Sequence, residues 1–367
     1  MEFIVQDKNF YPLGLVEIYD SAIWTERFRD VGDFQLVIPA SSPVIQYLEI
    51  GNYLSLPDSD RMMIIESLDL KSDVQSGEVS VTFKGRSLES ILKRRIVWKQ
   101  TSINGDPIAG LTKILNENII ACNAQTGGTQ RRISNFIFQQ PASGDGVYEL
   151  MHGNNIQCQF TGDNVFDVVV SFCETFGIGF KVILTDSNQF KLILYAPVNR
   201  SSEQIENDPV IFSPDTESLL DSEWVQNMEE YKNVTMILGE GEGNARVQEI
   251  AYLGSSEPSG LDRIEIYTDA SSVKSEREDG TQMTTSEYKQ ALKYKGYETL
   301  AETATTTAFD GEIETTMGPV YGETYSMGDY VSVINEYGLG SIAQITEFIR
   351  SFDSNGYSAY PTFVMVT

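Results

Sequence analysis

Among the 367 residues, the side chains best suited to chemistry are one histidine, three cysteines and a large excess of carboxylates. His152 stands beside Gly153 and two asparagines. No nucleophile–histidine–carboxylate pattern surrounds it, so it reads as a solvated or hydrogen-bonded structural residue. Cys122, Cys158 and Cys173 are an odd number without metal-ligand spacing, and read as buried, reduced thiols of a protein made in a cytosol. No cluster has zinc spacing and no Asp-x-Asp-x-Asp-Gly calcium loop occurs, so no metal and no cofactor is expected. Gly239-Glu240-Gly241-Glu242-Gly243-Asn244 invites a phosphate-loop reading, but no Gly-Lys-Ser/Thr ending follows and two glutamates repel phosphate. It reads as a hairpin turn. Two carboxylates across a cleft, about 5–9 Å apart, would suit a glycosidase, and a linear sequence does not place such a pair. Trp24, Trp98 and Trp224 are scattered, so they give no glycan-binding patch.

Charge narrows the partners. The formal net charge is −27. Residues 1–150 carry 14 basic and 19 acidic side chains, and residues 151–367 carry 12 and 34. A surface this acidic is unsuited to holding nucleic acid, because phosphate binding needs Lys and Arg. It serves solubility, or keeps nucleic acid from sticking as it passes. Lys93-Arg94-Arg95 is the one basic cluster of note. Without a flanking aromatic platform it reads as a solvated face or a contact for an acidic partner at a helix end. No apolar run reaches membrane-spanning length, and Met1-Glu2-Phe3 does not open a signal peptide.

The elements that must carry these residues are organised around a pattern used twice. Gly51-Asn52-Tyr53-Leu54-Ser55 begins a strand, Pro57 to Asp60 a turn, Met62 to Leu68 a second strand, Gly77 a turn, and Val79 to Arg86 a third strand. Near the C-terminus, Gly328-Asp329-Tyr330-Val331-Ser332 begins a strand, followed by a turn at Asn335–Gly340, a strand at Ile342–Phe348, Gly356, and a strand from Tyr357 to Val366. Any two β-meanders share this outline. The common Gly-x-Tyr-x-Ser start favours an internal duplication, and the expectation is two similar small antiparallel β-barrels.

Other elements follow from period and caps. Paired β runs are expected at Phe3–Val5 and Leu15–Tyr19, and Phe34–Pro39 alternates with period two until Pro39 stops it. Ser87 reads as the N-cap of a short helix. Asp106-Pro107 opens a helix with Ile108, Leu111, Ile114 and Leu115 on its buried face. Thr161–Gly177 is a second helix, and Phe180–Leu184 with Phe190–Tyr195 a hairpin. Asn233–Leu238 and Ala245–Leu253 read as paired strands, Leu261–Tyr267 as a short strand, and Ser286–Thr307 as a helix with Tyr288, Leu292, Leu300 and Ala304 on one side. The expected fold is mainly β with α+β parts. Its divisions are a first barrel over 1–97, an α+β domain over 98–200, a second barrel over 201–255 and 308–367, and a helical insertion over 256–307.

The ordered signatures Ser21-x-x-Trp24-x-x-Arg27, Gly32-x-Phe34-x-Leu36-x-x-Pro39, Gly51-Asn52-Tyr53 and Gly85-Arg86-Ser87-Leu88 resemble the N-terminal barrel of siphophage tail hub proteins. These are tail-tip or baseplate-hub proteins, also known as tail-associated lysin N-terminal domains. Asn233, Gly239, Arg246 and Met327-Gly328-Asp329-Tyr330-Val331 extend the resemblance over essentially the whole chain, each piece loose and the order specific. The resemblance implies a non-enzymatic structural role and a homotrimer whose six barrel copies dock on a hexameric distal tail protein or tail tube ring. It implies contact with the C-terminus of the tape-measure protein and with a tip or receptor-binding protein. It further implies a tube that is closed and then opened for DNA, which passes without specific binding. The location implied is the virion tail tip, assembled in the bacterial cytoplasm. Because the sequence stops after the second meander, lytic activity is expected in a separate protein; the alternatives are a peptidoglycan-degrading tail enzyme and a receptor- or glycan-binding tail protein.

Overall fold

The computed structural model describes residues 1–72, 79–216, 218–219, 223–276, 281–303, 306–310, 318–354 and 356–366. The expectations for Gly77 and Ala304 lie outside these residues. The chain divides into two compact units, Met1–Ser222 with Gly311–Thr367, and Glu223–Asp310.

The first unit opens with β1 (Phe3–Gln6), β2 (Pro12–Val16), β3 (Ser21–Arg27), β4 (Asp33–Pro39), β5 (Tyr53–Ser55), β6 (Met62–Ser72) and β7 (Val79–Ser87). Alternation does the sorting: in β4 Phe34, Leu36 and Ile38 are buried, and in β7 Val81 and Phe83 are buried. With Phe3, Val5, Trp24 and Leu54 they form one core cluster. Each such side chain contributes about 1.5–3 kcal/mol on burial. β2 begins at Pro12, earlier than the expected Leu15–Tyr19 strand.

Next come β8 (Thr101–Gly105), α1 (Pro107–Leu115), β9 (Phe136–Gln139), α2 (Gly146–Met151), β10 (Ile156–Phe160), α3 (Val165–Thr175), β11 (Gly179–Leu184), β12 (Phe190–Tyr195) and β13 (Ile211–Phe212). The Asp106 carboxylate accepts the Ala109 N–H at 2.8 Å and Pro107 needs no donor partner, so α1 starts there. Leu111, Ile114 and Leu115 of α1 and Val165, Val169 and Phe172 of α3 share a second core with Phe180 and Leu192. Ser87 does not cap the turn that follows it: its hydroxyl accepts the Gly32 N–H at 2.8 Å, and Leu88–Arg94 is a 3-10 turn.

The second unit holds β14 (Glu223–Asn227), β15 (Val234–Leu238), β16 (Gln248–Tyr252), β17 (Glu265–Asp269), α4 (Thr285–Glu302) and β18 (Thr306–Asp310). β14 pairs antiparallel with β18; β15 pairs antiparallel with β16 and parallel with β17. The expected cap at Ser286 is displaced to Thr284, because Thr284 and Glu287 form a reciprocal capping box. Tyr288, Leu292, Gly296 and Leu300 are the buried positions of α4, while Thr307 belongs to a strand.

The first unit ends with β19 (Tyr330–Ile334), β20 (Gly340–Asp353) and β21 (Gly356–Met365). The two meanders, β5–β6–β7 and β19–β20–β21, repeat the same irregularities. Gly51 and Gly328 have φ of 91° and 90°. Gly51 N–H donates to Ile65 O at 2.8 Å and Ile65 N–H to Asn52 O at 2.9 Å; Gly328 N–H donates to Ile345 O at 2.9 Å and Ile345 N–H to Asp329 O at 3.0 Å. Both following strand pairs slip by one residue at the next position, between Ile65 and Ser67 and between Ile345 and Glu347. A bulge shared to the residue ties Ile65 to Ile345 and every later position by the same offset.

The expectation of two closed barrels is overturned. Among the described residues eleven strands form one open sheet in the order β13-β19-β20-β3-β4-β7-β6-β5-β1-β2, with β21 also paired to β20. Closure requires the first and last strands to pair, and β13 and β2 do not pair among the described residues. The cause is the β3–β4 hairpin. Its β4 pairs with β7 of the first meander and its β3 with β20 of the second, so it splices the two copies into one sheet. The fold is mixed α+β, rich in sheet.

Candidate functional site

A buried cluster of charged side chains lies where that splice is made. β3 supplies Glu26, the turn before β6 supplies Asp58, Ser59, Asp60 and Arg61, the 3-10 turn after β7 supplies Glu89, and β20 supplies Arg350. Glu26 and Arg350 are 3% and 4% exposed, Arg61 and Glu89 5% and 1%. Glu26 Oε1 accepts from Arg350 Nη1 at 2.6 Å, Ser59 Oγ at 2.7 Å and Trp24 Nε1 at 3.3 Å, and its Oε2 accepts from the Tyr321 hydroxyl at 3.1 Å. Glu89 Oε1 accepts from Arg61 and from the Val182 N–H at 2.9 Å. Tyr321 stacks on Phe348 at 4.0 Å, and the Arg350 guanidinium lies 4.8 Å from the Phe348 ring centre.

A cleft of about 480 Å³ opens beside the cluster, lined by Glu26, Asp58, Asp60, Arg61, Tyr195 and Tyr321 among others. Its electrostatics decide what it can do. Burial works against the Arg61 charge, but Glu89, Tyr195, Glu26 and Asp60 together raise its pKa above the ordinary guanidinium value. Burial likewise opposes the Asp60 carboxylate, yet Arg61 and Lys181 hold its pKa below the usual range. Burial pushes the Tyr195 and Tyr321 hydroxyls up, with Glu26 adding to the rise at Tyr321. Every acid lining the cleft has a cation: Glu26 and Asp58 have Arg350, Asp60 has Arg61 and Lys181, and Asp329 has Arg200. A glycosidase of the two-carboxylate type needs one carboxyl kept protonated as general acid. This cleft instead holds its carboxylates as ion-pair acceptors, which joins chain segments and orients them.

The sequence-selected residues surround this splice or lie in the second unit. Ser21, Trp24 and Arg27 lie on β3, and Phe34 and Pro39 on β4. Arg27 binds Asp33 and Glu347, each at 2.5 Å, so one side chain clips β4 and β20 to β3. Gly32 precedes β4 and donates to Ser87. A Cβ at Gly85 would lie 1.7 Å from Ile64 O, which is why the bulged pair needs glycine there. Arg86 pairs with Glu66 at 2.6 Å. Tyr53 packs on Phe10 and Phe190. Gly51 and Gly328 are the matched turn residues, and Gly328 lies against the Phe28 ring. Asp329 accepts from Val198 N at 2.8 Å and Ser326 N at 2.9 Å, and Tyr330 N donates to Val198 O.

In the second unit Asn233 bridges Asp262 O at 2.6 Å and Ile264 N at 2.8 Å. Gly239 lies against Tyr288, and Arg246 donates to Gly239 O, Leu238 O and Asp269. Arg246 and a Ser271 amide hold the Asp269 pKa at about 2. The Gly239–Asn244 run is therefore a turn closed by its own arginine.

Sequence reasoning missed Glu26, Arg61, Glu89, Tyr321 and Arg350. The one local signal is Glu89 inside the apolar stretch Leu88–Leu92, an acid where burial is expected. The remaining candidates play local parts. His152 is 57% exposed at its side chain and stacks on Tyr148 at 4.4 Å. Lys93 lies over Phe166 and Arg95 donates to Arg131 O. The three cysteines are free. Among the described residues no group of three or more His, Cys, Asp or Glu could hold a metal, and no helix is long and apolar enough to cross a membrane.

Comparison with known proteins agrees on the architecture. A family model described as "Siphovirus ReqiPepy6 Gp37-like protein" matches residues 2–363. The 43 kDa tail protein of prophage MuSo2 from Shewanella oneidensis is similar in structure, with a TM-score of 0.61 at 10% identity over 100% of this chain and 98% of that one. A tail protein from Neisseria meningitidis MC58 gives 0.55 at 12% identity, over 98% and 96%. Prophage tail protein gp18 from Listeria monocytogenes gives 0.51 at 12% identity, over 95% and 90%. None of the curated proteins matches.

Proposed function

The chain belongs to the Siphovirus ReqiPepy6 Gp37-like protein family, and on that premise we propose that it is a non-enzymatic structural hub of a bacteriophage tail tip. The observation that carries the reading is the repeated meander with its shared glycine and bulge, held in one sheet by β3–β4. One chain then offers two similar surfaces. Three chains offer six, which match a hexameric tail ring on one side and a threefold tip on the other. The hub closes the tube, holds the end of the tape-measure protein and opens for DNA. Its net charge of −27 keeps passing DNA from sticking. The similarity in fold to tail proteins of three prophages or bacteria supports this place in the tail.

The test is the mass of the purified protein across a concentration series, alone and with the adjoining tail ring protein. A trimer, or a monomer that becomes three copies on a six-copy ring, is expected. A monomer indifferent to the ring removes the function and leaves the fold.

A further inference from the structure

The repeat exposes a difference between its two copies. On β20, residues Glu347–Phe352 carry β21 on one edge and β3 on the other. The matching residues of β6, Ser67–Ser72, carry β7 on one edge only; among the described residues nothing pairs with the other. Side chains register the gap. Leu68 and Leu70 stand across from Phe83 and Val81, which are 0% and 2% exposed, yet they are themselves 47% and 60% exposed. Their counterparts Phe348 and Arg350 are 6% and 4% exposed, beneath the added strand β3. An unpaired edge with apolar side chains on its core face is a template for another strand.

The second copy also has an antiparallel strand pair matching β3–β4, with β15–β17 and α4 inserted between its two strands. In β3–β4, Trp24 stands across from Phe34; in β14–β18, Trp224 stands across from Phe309. Each strand pair precedes its own Pro-Val stretch and Gly-Asx-Tyr-x-Ser meander, Pro43-Val44 to Ser55 and Pro319-Val320 to Ser332. Among the described residues β14 pairs with β18 alone.

We propose that the free edge of β6 at Ser67–Ser72 takes up β14 of a second copy of this chain, antiparallel, in the register in which β20 takes β3. Arg350 opposite Trp24 and Glu347 opposite Arg27 translate into Leu70 opposite Trp224 and Ser67 opposite Asn227 of the neighbouring copy. The contact is head-to-tail, since β6 and β14 are different surfaces, and such contacts close into rings. It rests on the ring reading above and names the edge through which the copies join.

The experiment is a cysteine trap. Ser67→Cys and Asn227→Cys are combined in the full chain, with Cys158→Ser to remove the half-buried native thiol. Facing residues of an antiparallel pair are about 4.5–5.5 Å apart at Cα, within disulfide reach. Oxidation is expected to give a covalent ladder ending at three chains, absent from either single variant. Leu70→Asp is expected to weaken self-association roughly tenfold or more without lowering the melting temperature of the monomer, because a buried unpaired carboxylate replaces an exposed leucine. A native trimer that gives no cross-link overturns the pairing and leaves the ring reading standing. A chain that neither associates nor cross-links at any concentration, with or without the ring protein, overturns both.

Discussion

The buried pair Glu26–Arg350 ties β3 to β20 where both residues are almost wholly buried. Removing one partner leaves the other charged and buried. Arg350→Ala should destabilise the fold by about 3–5 kcal/mol in urea unfolding, and Glu26→Leu with Arg350→Met should recover most of the loss. Equal losses for the single and double variants would show that packing on Phe348, not charge, is what matters. Asp60 supplies a pH dependence. Its folded pKa is depressed by Arg61 and Lys181 against the opposing effect of burial. Its contribution is therefore fully present above the unfolded value near 3.8 and is lost as pH falls through the lower folded value. Thermal unfolding followed from pH 5 downward should show that loss, and Asp60→Asn should show less of it.

Among the elements, β3–β4 decides the architecture. A hairpin normally feeds one sheet neighbour; this one has a different copy of the meander on each side. The bulge in β6 depends on Gly85, whose place leaves no room for a Cβ against the Ile64 carbonyl. Gly85→Ala should cost at least ~2 kcal/mol and raise amide exchange first in β6 and β7. Exchange rising uniformly over the whole chain would argue against a local bulge defect. Most elements are short-range matters, and the sequence shows them well: Asp106-Pro107 starts α1, and period two marks β4. Boundaries slip where a longer reach wins, as when Glu287 reaches back to Thr284 and starts α4 before Ser286.

For the whole molecule the charge of −27 sets the conditions of assembly. Like-charged copies repel, and salt screens them, with a Debye length of about 10 Å at 0.1 M and 3 Å at 1 M. Self-association in the mass experiment should therefore strengthen from low to moderate salt. Weakening with salt would mean that ion pairs, not strand edges and apolar side chains, hold the copies together.

By itself the sequence determined the repeat, the helices α1 and α3, the acidity and a resemblance to siphophage proteins. Each of these is written in local spacing or composition: Gly51-x-Tyr53 and Gly328-x-Tyr330 need only their own turns, and carboxylates count wherever they lie. Tertiary structure alone decided that the meanders share one open sheet instead of closing into two barrels. It also decided that Glu26, Arg61, Glu89 and Arg350 meet, and that among the described residues one edge of β6 at Ser67–Ser72 has no partner strand. Strand pairing joins residues as far apart as Trp24 and Arg350, and a strand's hydrophobic pattern says which face is buried without saying which neighbour its backbone hydrogen bonds will find.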